Sequence, residues 1–260
     1  MKTALDFQLY ADYFLDNGVS KRTAKTYISC LKVFFRDGSI EDPTTWYRNF
    51  VAKGKSSSYQ HNMYFAIRWL MRYHGIDWKY KKPKLQKKVR QNLSLEKCWA
   101  LLESITNPEH KLLIETAIMT GLRPSELLAL KKDDIDLFEN TITIKNTKTY
   151  CDRIITIDKA LATKLQYHIF KKNIRDKIFP LCLRTYQDIL TREGKKLGFK
   201  VTPYMLRHTF ATQYVENGGN LLMLKSILGH SNIKTTEGYV HESKAMLRKD
   251  YERAKPRLFV

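Results

Sequence analysis

The chain has 260 residues, 43% of them hydrophobic, enough for one large or two smaller packed cores, with two favoured on length. Its formal net charge of +20 exceeds anything solubility requires, so the partner class it favours is a polyanion, nucleic acid ahead of a membrane surface. No uninterrupted apolar run approaches the roughly 18 residues of a spanning helix and the N-terminus lacks a signal-peptide pattern, which predicts a soluble protein of the cytoplasm. Cys30, Cys98, Cys151 and Cys182 lie far apart without a C-x-x-C pair, so neither a zinc site nor a disulfide framework is expected, and the thiols read as reduced packing residues.

In chain order, Leu5, Leu9, Tyr13 and Phe14 predict a first helix that stops at Asn17-Gly18. Ser20 caps a second, with Ala24, Tyr27, Ile28, Leu31, Phe34 and Phe35 on its apolar face and Lys21, Arg22, Lys25 and Lys32 on the other. Asp42-Pro43 opens a third helix, and residues 56–74, with Met63, Ala66, Ile67, Leu70 and Met71 inside, form a fourth before Gly75. These four helices are expected to pack as an N-terminal domain over residues 1–78.

Residues 79–90 carry seven basic side chains and no acidic one, and Pro83 adds stiffness, so residues 79–92 read as an extended linker. Lys81, Lys82, Lys84, Lys87 and Lys88 suit a strap along phosphates better than a solvated tether. There are 18 basic against 7 acidic residues in 1–90 and 28 against 19 in 91–260, so both halves are expected to touch the polyanion.

The second domain, 93–260, begins with a helix capped by Ser94 and another from His110 to Met119 that stops at Gly121. Thr141 to Lys145 and Arg153 to Ile157 are β-branched strands of a hairpin connected by residues 146–152. Helices resume at Lys159 and continue to a tail, 241–260, whose Met246, Leu247 and Tyr251 share one side. The fold class is therefore mainly α with a small β-sheet.

Two junctions repeat one device. In Thr120-Gly-Leu-Arg-Pro-Ser-Glu-Leu127, Pro124 opens a helix directly after Arg123, and Glu126 falls near its third position, where a carboxylate is favoured by the free N–H groups alone. In Thr202-Pro-Tyr-Met-Leu-Arg-His208, Thr202 caps, Pro203 opens, and Tyr204 and Arg207 at i,i+3 share a face, with Leu206, Phe210 and Tyr214 on a core-facing stripe. His208 points about 100° from Arg207 and reads first as a structural hydrogen-bonding residue. Asn220 caps a further helix that Gly229 ends immediately before His230, and Tyr239 comes nine residues later.

Singly these residues say little; in this order they resemble the tyrosine recombinase, or phage integrase, family in its simple two-domain, Xer-like form. The resemblance spans nearly the whole chain: Gly-Leu-Arg-x-Ser-Glu-Leu, a hairpin lysine in Thr147-Lys-Thr149, Leu-Arg-His-Thr-Phe-Ala-Thr, Leu-Gly-His-Ser, then the tyrosine. Thr23, Tyr27, Leu31 and Phe34 look like that family's N-terminal, SAM-like core-binding domain. The resemblance implies that Arg123 and Arg207 clamp the scissile phosphate and that Glu126 supports the first of them. It also implies Lys148 as general acid, ahead of Lys145 and Arg153, with His230 as a further donor and Tyr239 as nucleophile. Tyr204 stands where the family most often has histidine, and His208 is a supporting residue.

The activity implied by the resemblance is cleavage and rejoining of DNA through a 3′-phosphotyrosyl bond, with no metal and no ATP. No G-x-x-x-x-G-K-[ST] loop or clustered carboxylates of a two-metal site occur in the sequence. The implied partner is double-stranded DNA carrying inverted-repeat core sites, bound by a tetramer that is a monomer when free, with the tail docked on a neighbouring subunit. On length alone, no added arm-binding domain is expected before residue 1. Two alternatives are a catalytically inactive DNA-binding protein of the same fold, prompted by Tyr204, and a type IB-like topoisomerase, which the N-terminal helical domain disfavours.

Overall fold

The computed structural model describes residues 6–84, 91–145, 152–230 and Thr236. The chain divides into two compact units, Met1–Val89 and Arg90–Val260. Lys87, Lys88, Lys148, Cys151, Tyr239 and the tail residues Met246, Leu247 and Tyr251 lie outside the described residues.

In the first unit α1 (Phe7–Asp16), α2 (Lys21–Asp37), α3 (Pro43–Ala52) and α4 (Ser57–Tyr73) occur in the expected order. Ser20, Asp42 and Ser56 each accept a backbone N–H of the first turn, satisfying donors that have no partner inside the helix. α2 packs along α4, with α1 against both and α3 against α4. Phe14, Leu31, Phe34, Met63, Ile67, Leu70 and Met71 are wholly buried between them; each such side chain contributes about 1.5–3 kcal/mol. The expected linker begins as packed chain: the Tyr64 hydroxyl donates to the Tyr80 carbonyl at 3.0 Å, the Trp78 indole N–H to Thr44 Oγ1 at 3.0 Å, and Lys82 lies over the Phe65 ring. Aromatic residues at 78 and 80 bury surface that the flanking lysines cannot.

The second unit contains α5 (Leu95–Ser104), α6 (Pro108–Thr120), α7 (Pro124–Leu127), α8 (Lys159–Lys171), α9 (Leu183–Lys196), α10 (Pro203–Glu216) and α11 (Leu221–Leu228). Helix α6 starts before the expected His110 because Asn107 caps it and Pro108 occupies its first position. The expected hairpin is part of a three-stranded antiparallel sheet: β2 (Thr141–Ile144) pairs with β3 (Arg153–Thr156) and also with a short β1 (Ile135–Asp136). In the β2–β3 register Ile142 faces Ile155 and Ile144 faces Arg153, so Arg153 shares the inward face with isoleucines. α10 packs on α6, and α11 packs on both α10 and β3, which brings the end of α11 to the functional site.

Cys30 and Cys98 are buried free thiols, as expected of packing residues. Cys182 differs: it is exposed and caps α9 by accepting the Thr185 N–H.

Candidate active site

The site is built on the carbonyl end of α11. The last carbonyls of a helix have no partner within it and carry the negative end of the helix dipole, so they attract cations. Here three consecutive carbonyls each take one guanidinium. Arg153 Nε donates to the Ile227 oxygen at 2.7 Å, Arg207 Nη2 to Leu228 at 2.7 Å, and Arg123 Nη2 to Gly229 at 2.7 Å. Gly229 makes the approach possible. Its φ of +61° is a conformation L residues avoid, and a Cβ there would sit 2.9 Å from Arg153 Nη1 and 3.3 Å from Arg123 Nη1.

Glu126 binds two of these arginines. Its Oε1 accepts from Arg123 Nη1 at 2.8 Å and Arg153 Nη1 at 3.2 Å; its Oε2 accepts from the Arg123 backbone N–H at 2.8 Å and Arg153 Nη2 at 2.8 Å. The backbone bond is the helix-start role that its position in α7 suggests, and the guanidinium bonds come in addition. Burial pushes the Glu126 carboxyl up, but hydrogen bonds from Arg153 and Arg123 and the Arg153 charge outweigh it and hold the carboxyl below its ordinary value. Three guanidiniums against one carboxylate leave the cluster with surplus positive charge, suited to an anion.

Arg207 is only 4% exposed, whereas Tyr204, on the same face by spacing, is 58% exposed. The arginine is drawn inward: Nη1 donates to the Gly121 carbonyl at 2.8 Å, while Nη2 reaches both Leu228 and His230 Nε2, the latter at 3.1 Å. Gly121 allows this by ending α6 at φ +61°, with Phe210 packed where a Cβ would stand. Arginine can only donate, so His230 Nε2 accepts and the ring proton sits on Nδ1, 2.9 Å from Thr236 Oγ1. Arg123, at 34% side-chain exposure, is the more open of the two clamp candidates.

The structure thus gathers Arg123, Glu126, Arg207 and His230. Tyr204 makes no side-chain hydrogen bond among the described residues, and His208 is half-buried on α10. Lys145, weighed against Lys148, pairs with Asp134 at 3.1 Å. Arg153, weighed likewise, is buried with its donors committed to Glu126 and Ile227, so it is not an acid for a leaving group. Lys21, Arg22, Lys25, Lys81, Lys82 and Lys84 are all exposed on the first unit.

Sequence reasoning missed Arg153 as part of the cluster, and with it Thr236. A signal existed for the first: strand alternation puts residue 153 on the side of Ile155, and an inward arginine requires a buried carboxylate. Thr236 is fully buried beside His230, and no local pattern marks it.

The phage integrase family model matches residues 91–246. The tyrosine recombinase XerA of Saccharolobus solfataricus is 35% identical over 189 residues, 73% of this chain and 65% of that protein. The XerA of Thermococcus kodakarensis is 30% identical over 269 residues, covering 96% of this chain and 94% of that one. Among solved structures, the Tn1549 transposon integrase in complex with transposon right end DNA superposes with a TM-score of 0.76 at 20% identity, covering 96% of this chain and 99% of that one. The chain belongs to the phage integrase family and is a site-specific tyrosine recombinase, an enzyme that breaks and rejoins DNA.

Proposed function

We propose that the chain cleaves each DNA strand with Tyr239 as nucleophile and carries the strand as a 3′-phosphotyrosyl intermediate. Tyr239 gives up its phenolic proton to water, the phenolate being favoured by the neighbouring guanidiniums; its oxygen attacks phosphorus, the bond to the 5′-oxygen breaks, and Lys148 donates a proton to that oxygen. In rejoining, the 5′-hydroxyl of another strand gives its proton back to the Lys148 amine and attacks the same phosphorus, and the phenolate leaves and is reprotonated from water. One phosphodiester is exchanged for another, so no energy source is needed. Arg123 and Arg207 hold the non-bridging oxygens, where charge concentrates in the transition state, and Tyr204 adds a donor. His230 joins them by carrying a proton on Nε2, which requires it to exchange its present acceptor role toward Arg207.

The observation that carries this reading is the convergence of Arg123, Arg207 and His230 on the last turn of α11, held by partners up to 106 residues away in sequence. Substrate DNA fits the net charge of +20 and the DNA held by the Tn1549 integrase. Lys21, Arg22, Lys25, Lys81, Lys82 and Lys84, with Lys87 and Lys88, supply phosphate contacts. The sites are inverted repeats, recombined in the cytoplasm by four protomers, because exchange between two duplexes needs four cleavages. A nicked suicide duplex tests the chemistry. Wild-type protein is expected to give an adduct that survives denaturation, and Tyr239→Phe none; an adduct of undiminished yield in Tyr239→Phe refutes the assignment.

A further inference from the structure

We propose that Arg153 is a positioning residue of the active site, which orients Arg123 through the carboxylate they share and ties β3 to the end of α11. The proposal rests on the reading of Arg123 as a phosphate clamp. Arg153 is 8% exposed, and a guanidinium tolerates burial only when its donors are used. All three of its nitrogens are: Nε on Ile227, Nη1 and Nη2 on the two oxygens of Glu126. Each nitrogen is turned to a protein acceptor and the side chain is buried, so Arg153 acts through other residues.

Its effect on Arg123 comes from the sharing. The two Arg153 bonds fix the plane of the Glu126 carboxylate, and that plane sets where Arg123 Nη1 and the Arg123 backbone N–H lie. Dividing the carboxylate between two guanidiniums also leaves Arg123 more of its positive charge than a private ion pair would. The bond to Ile227 holds β3 against the turn that contains Gly229 and precedes His230, so one side chain sets the spacing of the Arg123, Arg207 and His230 anchors.

The test is a double-mutant cycle on wild type, Arg153→Gln, Arg123→Lys and the combination, with single-turnover adduct formation on a saturated suicide duplex and DNA affinity measured separately. Arg153→Gln is expected to leave affinity within about twofold and to slow adduct formation about 10- to 100-fold, the scale of a clamp displaced by about an ångström. In the Arg123→Lys background it is expected to slow the reaction less than about threefold, because the residue it positions is already changed. Equal losses in both backgrounds, affinity falling in step with rate, or an unaffected rate each overturn the proposal. If Arg153→Gln does not fold, judged by circular dichroism, Arg153→Lys replaces it: one ammonium cannot span the three acceptors that the fork reaches. A wild-type chain that forms no adduct, or an adduct that persists in Tyr239→Phe, counts against the functional reading, whereas a Tyr239-dependent adduct with multiplicative losses overturns only the role of Arg153.

Discussion

Gly229→Ala perturbs the site through backbone alone. The structure supplies a control, because Gly198, at the end of α9, has φ +74° with nothing within 4 Å of a built Cβ, while Gly229 has φ +61° and two guanidiniums in that space. Alanine at 198 therefore carries only the left-handed penalty, about 1–2 kcal/mol. Alanine at 229 carries the same and must also push Arg153 Nη1 outward from 2.9 Å, which strains charge-assisted bonds worth about 1.5–3 kcal/mol each. The difference between the variants is thus expected to be about 1–3 kcal/mol in urea unfolding of the catalytic unit. Cleavage separates them further: a displaced Arg123 forfeits up to about 2.7–4 kcal/mol of transition-state stabilisation, a hundred- to thousandfold in single-turnover rate, while Gly198→Ala cleaves normally. Equal stability and equal cleavage in the two variants would show that the guanidiniums do not need the space at 229, and the account of the α11 terminus would fail.

Three other perturbations have defined outcomes. Glu126 has a folded-state pKa below its ordinary value, so its contribution to stability is present above the unfolded value and is lost as pH falls through the folded one. The stability gap between wild type and Glu126→Gln should be constant near neutrality and close only below about pH 4; a gap that closes between pH 6 and 7 would contradict the lowered value. Lys148→Ala should bind DNA normally, cleave ordinary duplex slowly, and recover on a duplex whose leaving atom is a 5′-bridging sulfur, which needs no proton; equal slowing on both substrates would move the acid elsewhere. Removing the charges of Lys21 and Arg22 together should lower the slope of log affinity against log salt by about 1.8, close to 0.9 per lost phosphate contact, and an unchanged slope in filter binding would take α2 off the DNA.

Where the sequence was legible, the signals were local. The caps at Ser20, Asp42, Ser56, Ser94, Thr202 and Asn220 each hold a first-turn N–H, so those helix starts depend on one side chain and its neighbours. Gly121 and Gly229 end their helices for an equally local reason. Strand β1 was not legible because two residues cannot display an alternation, and its pairing is decided by Ile142 and Thr141 across the turn. Arg153, at the start of the second hairpin strand, reads from the sequence as an alternative acid to Lys148, because its carboxylate partner Glu126 lies 27 residues away and no local pattern joins the two.

By itself the sequence determined the helical character, the charge that calls for a polyanion, and the spaced residues that mark a phosphate-handling enzyme, since each depends on side chains within a turn or two or on a total. Only the tertiary structure decided that Arg207 is buried while Tyr204 is not, and that Glu126 serves two arginines. It also decided that three guanidiniums end on successive carbonyls of α11. The reason is that a guanidinium's role depends on which acceptors lie within about 3 Å. For Arg123, Arg153 and Arg207 those acceptors come from chain 106, 74 and 21 residues away, brought near only when α11 packs on α10 and β3.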